Sequence, residues 1–232
     1  MRVWRIVLIV LVILGGLFVA ADRIAVSVVQ SKAAERVQIT EGLDEKPKVS
    51  IEGFPFLTQL LFGKLDDVKV KARDINAGAG GTTVRIQSFD ADLRGVKFSD
   101  SFRRAVADTA DGVVFISYDD LSKAAPDGVT VSAAPAAADG TARVKLSASI
   151  PELGDAASVY SDITVKGDTV SVKAEQLPKA VTALGLEGEV RKTIDFSRQL
   201  GNLPHGITLQ KVTGTPDGIS IQVGGQDVEL AG

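Results

Sequence analysis

No cysteine occurs in the 232 residues, histidine and tryptophan occur once each, and aromatic residues make up only 5% of the chain. Without cysteine there is neither a disulfide nor thiolate chemistry, so an exported domain must hold together without cross-links. One histidine and no thiol leave a zinc site dependent on several carboxylates. Positive charge is not in excess either, with 26 Lys and Arg against 29 Asp and Glu. A nucleic-acid binder needs surplus cations to neutralise phosphates, and diffuse attachment to anionic lipid needs the same; both classes are disfavoured. Setting aside Arg2 and Arg5, which precede the apolar segment below, 24 basic and 29 acidic residues remain, a net of −5.

Ile6 to Ala21 is an uncharged, mostly branched run that follows Arg2 and Arg5 and precedes Asp22 and Arg23. Cations ahead of an apolar run orient it with the N-terminus in the cytoplasm and the remainder exported. At 1.5 Å per residue, its 16 residues span roughly 24 Å as a helix, slightly short of a ~30 Å hydrocarbon core. Val3 and Trp4 extend it if Arg5 snorkels, and Trp4 suits the interface. A retained membrane anchor is one reading. A signal peptide cleaved after the small residues Val19-Ala20-Ala21 is the other. A buried core helix is the bland alternative. Residues 22–232 are expected to form one domain on the outer side of the membrane.

Residues 22–38 have helical periodicity, with Ile24, Ala25, Val28, Val29, Ala33 and Val37 apolar and Arg23, Ser27, Gln30, Ser31 and Glu35 opposite. Gly42 and Pro47 end that helix. From Val49 onward the chain alternates like strands. Val68 to Arg73 puts Val68, Val70 and Ala72 on one face and Lys69, Lys71 and Arg73 on the other. The apolar phase runs through Val84 and Ile86, then slips to Phe89, Ala91 and Leu93, as at a bulge that bends a strand. Ala142 to Ile150 alternates cleanly. Ile163 and Val165 face Val170 and Val172 across Gly167-Asp168 as a hairpin, and the pattern repeats at Ile219–Val223 and Val228–Leu230 across Gly224-Gly225. Asp-Gly pairs at 111, 127, 139 and 217 read as turns of an antiparallel meander. Short helices are expected at 55–62, 118–125 and 178–184, and a loop over the Ala-Pro-rich 133–138. The one-sided alternation calls for a sheet with one buried face, which long bent strands around a helix supply.

Chemistry-bearing constellations are sparse. His205, in Leu203-Pro204-His205-Gly206, has no nucleophile or orienting partner in the sequence and reads as a loop residue. Gly78 to Thr83 lacks the lysine of a phosphate-cradling loop and precedes a strand, so it reads as a hairpin. Asp66/Asp67, Asp90/Asp92 and Asp119/Asp120 are acid pairs that read as solvated faces or helix caps. No catalytic residue, metal ligand or cofactor is assigned. The distinctive stretch is Ile51 to Lys64, which packs Phe54, Phe56 and Phe62 beside Leu57, Leu60 and Leu61. These six either fill a core or line the mouth of an apolar cavity. Lys64, Lys69, Lys71 and Arg73 follow directly and are candidates for meeting a lipid headgroup.

The run Gly53-Phe54-Pro55-Phe56-Leu57-Thr58-Gln59-Leu60-Leu61 with Gly63, and the strand Val68–Ala72 after it, resembles the LmeA family of actinobacterial phospholipid-binding proteins, named for lipomannan elongation. Phe89 to Val96, Leu203-Pro204 with Gly206-Ile207, Asp217-Gly218-Ile219 and the closing Asp227-Val228 with Leu230 fit the same pattern. The resemblance implies an α+β fold like the tubular (TULIP/BPI-like) lipid-binding domains, a long helix wrapped by a curved antiparallel sheet. It also implies phospholipid as partner and a role in lipoglycan or envelope lipid assembly, with no catalytic residue. The physics agrees. Exposing a sixteen-carbon chain to water costs roughly 12 kcal/mol at ~0.8 per methylene, and an apolar cavity removes that cost without bond chemistry. A non-enzymatic envelope scaffold, its apolar face filled by its own side chains, is the alternative; a carboxylate-dependent hydrolase is a more distant one.

Overall fold

The computed structural model describes residues 2–79, 82–99, 104–149, 156–183, 185, 187–199 and 203–231. Helix α1 (Arg2–Glu41) is 40 residues long, about 60 Å at 1.5 Å per residue. The membrane-type segment and the following amphipathic stretch are therefore one uninterrupted helix. It stops at Gly42, whose φ of +63° is the left-handed conformation of a helix terminus, and the Leu43 amide bonds back to the Gln38 carbonyl at 2.9 Å.

The two halves of α1 differ in surroundings. Residues 3–21 are exposed on every side, whereas Asp22, Val26 and Ala34 are buried and Ala25, Val29, Gln30, Ala33 and Val37 half-buried. Those positions follow the three- and four-residue steps of one helix face. Ala25, Val29, Ala33 and Val37 turn inward as expected, but two of the expected positions do not. Ile24 and Val28 stay 66% and 49% exposed, while Gln30 is turned inward and donates to the Ile51 carbonyl at 3.3 Å. Ala25, Ala33 and Ala34 explain the choice: small side chains let a helix lie close to a sheet, where Ile24 and Val28 would hold it away.

All strands pair antiparallel, in two open sheets. The first has the order β1-β2-β3-β4-β11-β10 and the second β5-β6-β7-β8-β9. The first sheet is built from β1 (Lys48–Glu52), the long β2 (Lys64–Ala79), β3 (Thr82–Ser99) and β4 (Arg104–Ser117), then β11 (Gly218–Ala231) and β10 (Ile207–Gly214). The second comprises β5 (Val129–Ala133), β6 (Ala142–Ser149), β7 (Ala156–Lys166), β8 (Thr169–Ala174) and β9 (Phe196–Gln199). Short helices α2 (Phe56–Leu61), α3 (Tyr118–Ala124), α4 (Lys179–Ala183) and α5 (Glu187–Ile194) fill the connections. The sheets join where the Leu209 amide donates to the Gly167 carbonyl at 2.7 Å. The division into two sheets is not visible in the alternation pattern, which shows a strand's buried face but not its neighbour.

One line of phase shifts bends the first sheet. Leu65, Val96, Ala107 and Val228 stand in register across β2, β3, β4 and β11, and so do Val68, Leu93, Ala110 and Gly225. Both rows face the core although three residues separate them along each strand. Strict alternation would send one of the two outward. Gly95 and Asp227, both with positive φ, sit on this line. A second shift between Ala72–Phe89 and Ile75–Ile86 contains Asp74 at φ +53°, and this is the slip read from Ile86 to Phe89. Paired strands shift together and keep their register, so no extra residue is inserted on one side as in an ordinary bulge.

The hairpin across Gly167-Asp168 and the turns at Gly128, Gly140 and 217–218 lie where expected. Two other turn readings are corrected. Asp111-Gly112 lies inside β4, paired with Gly224 and Val223. Gly224-Gly225 lies inside a continuous β11, where a Cβ on Gly225 would sit 1.9 Å from the Gly206 carbonyl oxygen. Gly225 thus admits neighbouring backbone, while Gly112 and Gly224 admit the side chains of Val223 and Gln210. Ile150, Gly80 and Gly81 lie outside the described residues.

Candidate functional site

The Phe-rich segment folds as an elbow between β1 and β2, held against α1 at the point where the helix becomes wholly exposed. Gly53 takes φ +93°, and a Cβ there would lie 2.4 Å from the Gln59 amide nitrogen. That amide spans the elbow: Gln59 Nε2 donates to the Glu52 carbonyl at 3.4 Å, and Gln59 Oε1 accepts from the Asp66 amide at 2.9 Å. Glycine at 53 and glutamine at 59 thus form one device tying the end of β1 to α2 and the start of β2.

Asp22 fixes the elbow to α1. Its carboxylate is fully buried and accepts from the Leu57 amide at 2.8 Å and from the Arg23 guanidinium. Burial pushes this carboxyl up, but the Leu57 amide, the Arg23 guanidinium and the Phe56 amide more than offset it, leaving it below the usual carboxylate range. Arg23 also lies 5.3 Å over the Phe54 ring, within cation–π range. Asp22 therefore carries a structural charge satisfied by amides at the start of α2.

The six apolar candidates separate into two groups. Phe56 is fully buried, and Leu57 and Leu60 pack half-buried against the same core. Phe54, Leu61 and Phe62 are instead 59%, 81% and 78% exposed. The cationic candidates lie on the outer face of β2. Lys64 is 3.7 Å from Asp108, Lys69 is 2.8 Å from Glu52, and Lys71 is 3.0 Å from Asp90. The hydrogen bond to Glu52 holds Lys69 above its ordinary range. Arg73 is exposed and makes no ion pair among the described residues. The apolar set therefore lies on the elbow before β2 and the cationic set along the outer face of β2, so the two meet only at its start.

Apolar positions not singled out from the sequence lie on the inner face. Val70, Phe89, Ala91 and Leu93 stand side by side on β2 and β3 and remain half-buried, between one core against α1 and another against the second sheet. Their alternation was legible, but the sequence does not show which stretch of a long strand is left partly uncovered. A small apolar pocket of about 50 Å³ lies under α4 and α5, lined by Leu146, Val159, Leu177, Val181, Val190 and Ile194. A more polar one of about 110 Å³ lies between Ala142–Arg143 and Lys211–Gly214. Both have room for a few water molecules rather than an acyl chain.

The Ser117–Asp120 pair and His205 serve the fold. Ser117 and Asp120 cap α3 reciprocally: the Asp120 amide donates to Ser117 Oγ at 3.1 Å, and that hydroxyl donates to the Asp120 carboxylate at 2.6 Å. His205 is exposed in a turn and contributes its backbone carbonyl to the Glu229 amide at 3.2 Å. Among the described residues no group of three or more potential ligands converges on a metal position.

What the fold and this region define is an α+β protein whose distinctive chemistry is apolar surface next to a membrane-type helix. The chain belongs to the LmeA-like phospholipid-binding family, which matches it over residues 20–224. The match begins just before Asp22 and ends within β11, so it takes in the anchored elbow, the second sheet and the first sheet up to residue 224. No curated protein and no solved structure matches the chain.

Proposed function

We propose that this protein binds phospholipid in the cell envelope without catalysing a reaction, and serves lipoglycan or envelope lipid assembly from a membrane-anchored position. The observation that carries this reading is the half-buried apolar row Val70, Phe89, Ala91 and Leu93 on the inner face, in a member of a phospholipid-binding family. An acyl chain laid along that row, from Leu57 and Leu60 inward beside α1, exchanges water contact for apolar contact at ~25 cal/mol per Å². The headgroup then stays near the start of β2, where Lys64 leads towards Lys69, Lys71 and Arg73. In this arrangement the helix within a bent sheet serves as in the tubular lipid-binding domains. Residues 3–21 cross the membrane with Arg2 and Arg5 on the cytoplasmic side, so residues 22–232 act outside.

The test uses the full chain in nanodiscs containing a phospholipid with a photoreactive group at the end of one acyl chain. Cross-links to Leu57, Leu60, Val70 or Leu93 are expected, reduced by Leu60→Asp in a variant shown by circular dichroism to be folded. The small size of the two pockets favours a second reading, an envelope scaffold whose interior is filled by its own side chains. Cross-links that stay off every inward-facing residue would decide for the scaffold.

A further inference from the structure

The elbow between β1 and β2 satisfies its packing with half of its large apolar residues. Phe56, Leu57 and Leu60 supply the contacts with the core, yet Phe54, Leu61 and Phe62 are exposed to solvent. Their place in the fold is specific. Asp22, the first residue after the apolar half of α1, accepts a hydrogen bond from Leu57, so α2 begins level with the end of the membrane-type segment. The 6 residues of α2 span about 9 Å, which keeps Leu61 and Phe62 near that level. A headgroup layer is roughly 5–8 Å thick on each side of the hydrocarbon core. The same end of the sheet carries Phe98, whose amide bonds to the Gly63 carbonyl at 2.9 Å, and Leu230 at 36% exposure. Arg23, Lys64, Lys97 and Arg104 are exposed around it, Arg23 paired with Asp22 and Lys64 and Lys97 sharing Asp108. Exposed apolar side chains rimmed by charged residues form the pattern of an interfacial membrane contact.

We propose that the elbow bearing Phe54, Leu61 and Phe62 inserts into the interface of the bilayer that holds residues 3–21, giving the domain a second, monotopic attachment. A single helix leaves a domain free to tilt and rotate about it. A second contact beside it fixes the orientation and seats the start of β2 against the headgroups. The inference rests on the anchor reading above, and the experiment separates the two.

The chain contains no cysteine, so single-cysteine variants of the full protein take a nitroxide label at one site only. Phe54→Cys, Leu61→Cys and Phe62→Cys change exposed side chains, leaving the Asp22–Leu57 bond and the core untouched. Val12→Cys reports the anchor, and Asp127→Cys, in the exposed turn between α3 and β5, reports water. In nanodiscs of mixed zwitterionic and anionic phospholipid, the ratio of collisions with oxygen to collisions with a polar nickel chelate measures depth. The expected ratio at 54, 61 and 62 is several-fold above that at 127 and below that at 12. Ratios at all three sites equal to that at 127, with 12 still deep, would overturn the docking and leave the anchor standing. A water-like ratio at 12 would remove the anchor and the docking together.

Discussion

The long strands β3, β4 and β11 run through two cores closed in different ways. At the end near α2 the partner is a single helix, and the residues between them include Ala34, Ala105, Ala107 and Ala110 beside Phe56 and Val228. At the other end the partner is a second sheet, and the interface is β-branched: Ile116, Ile163, Val172, Val212, Ile219 and Ile221. A helix laid along a bent sheet needs small residues to come close, whereas two facing sheets about 10 Å apart need longer branched side chains to fill the gap. The same strands change composition along their length because their partner changes. The half-buried apolar row lies where one kind of closure gives way to the other.

Breaking one end should spare the other, and the largest effect is expected at Phe56. Phe56→Ala removes the largest fully buried side chain and should cost about 3–5 kcal/mol. Hydrogen exchange on the full chain should then accelerate in α2, β1 and the second half of α1, with the β6–β8 amides retaining their protection. Uniform acceleration would show that the two cores unfold as one. Ile221→Ala is the reciprocal change, about 2–4 kcal/mol, expected to open β10 and the facing strands of the second sheet before α2. It also bears on function: if an acyl chain uses the row beside Val70, opening the far core should alter lipid cross-linking less than Phe56→Ala does.

A smaller effect is expected from Asp22. Its folded carboxyl lies below the ordinary range, so its stabilising contribution is fully present above the unfolded value near 3.9 and is lost as pH falls through the lower folded value. The elbow should therefore hold its protection from neutral pH down to about pH 4 and loosen below it. Asp22→Asn keeps an oxygen for the Leu57 amide but loses the charge facing Arg23. It should weaken the elbow at neutral pH and flatten the acid-dependent step. An unchanged acid profile in that variant would assign the step to other carboxylates.

The contrast between the two ends also shows what the sequence could and could not reveal. The hairpin at Gly167-Asp168 was legible because two alternating runs flank a two-residue turn signal. The slip between Ile86 and Phe89 was legible because a kink leaves a mark in the alternation. The buried face of α1 was legible in part: Ala25, Val29, Ala33 and Val37 turn inward, but Ile24 and Val28 stay out because the fold selects for closeness over hydropathy. Gly112 and Gly225 look like turn glycines because one that admits a neighbouring side chain or backbone leaves the same mark in sequence. The density of apolar side chains in residues 51–64 marks a segment that packs against the core through Phe56, Leu57 and Leu60. The division into Phe56, Leu57 and Leu60 inside and Phe54, Leu61 and Phe62 outside depends on Asp22, a contact made 35 residues away along the chain.

The smallest expected effect belongs to His205, and it sharpens the comparison by lying outside both cores. Its side chain is exposed in the turn leading into β10, and the fold uses only its backbone carbonyl, bonded to Glu229 near the phase-shift line of β11. His205→Ala keeps that carbonyl and removes only an exposed imidazole. Stability should change by no more than about 0.5 kcal/mol, as for surface positions away from buried features. Lipid cross-linking to the inward-facing residues should match the unaltered chain. The informative result is the opposite one: cross-linking lost at unchanged stability. That would mean the imidazole touches lipid directly, and would move the site from the inner row to the 203–206 turn.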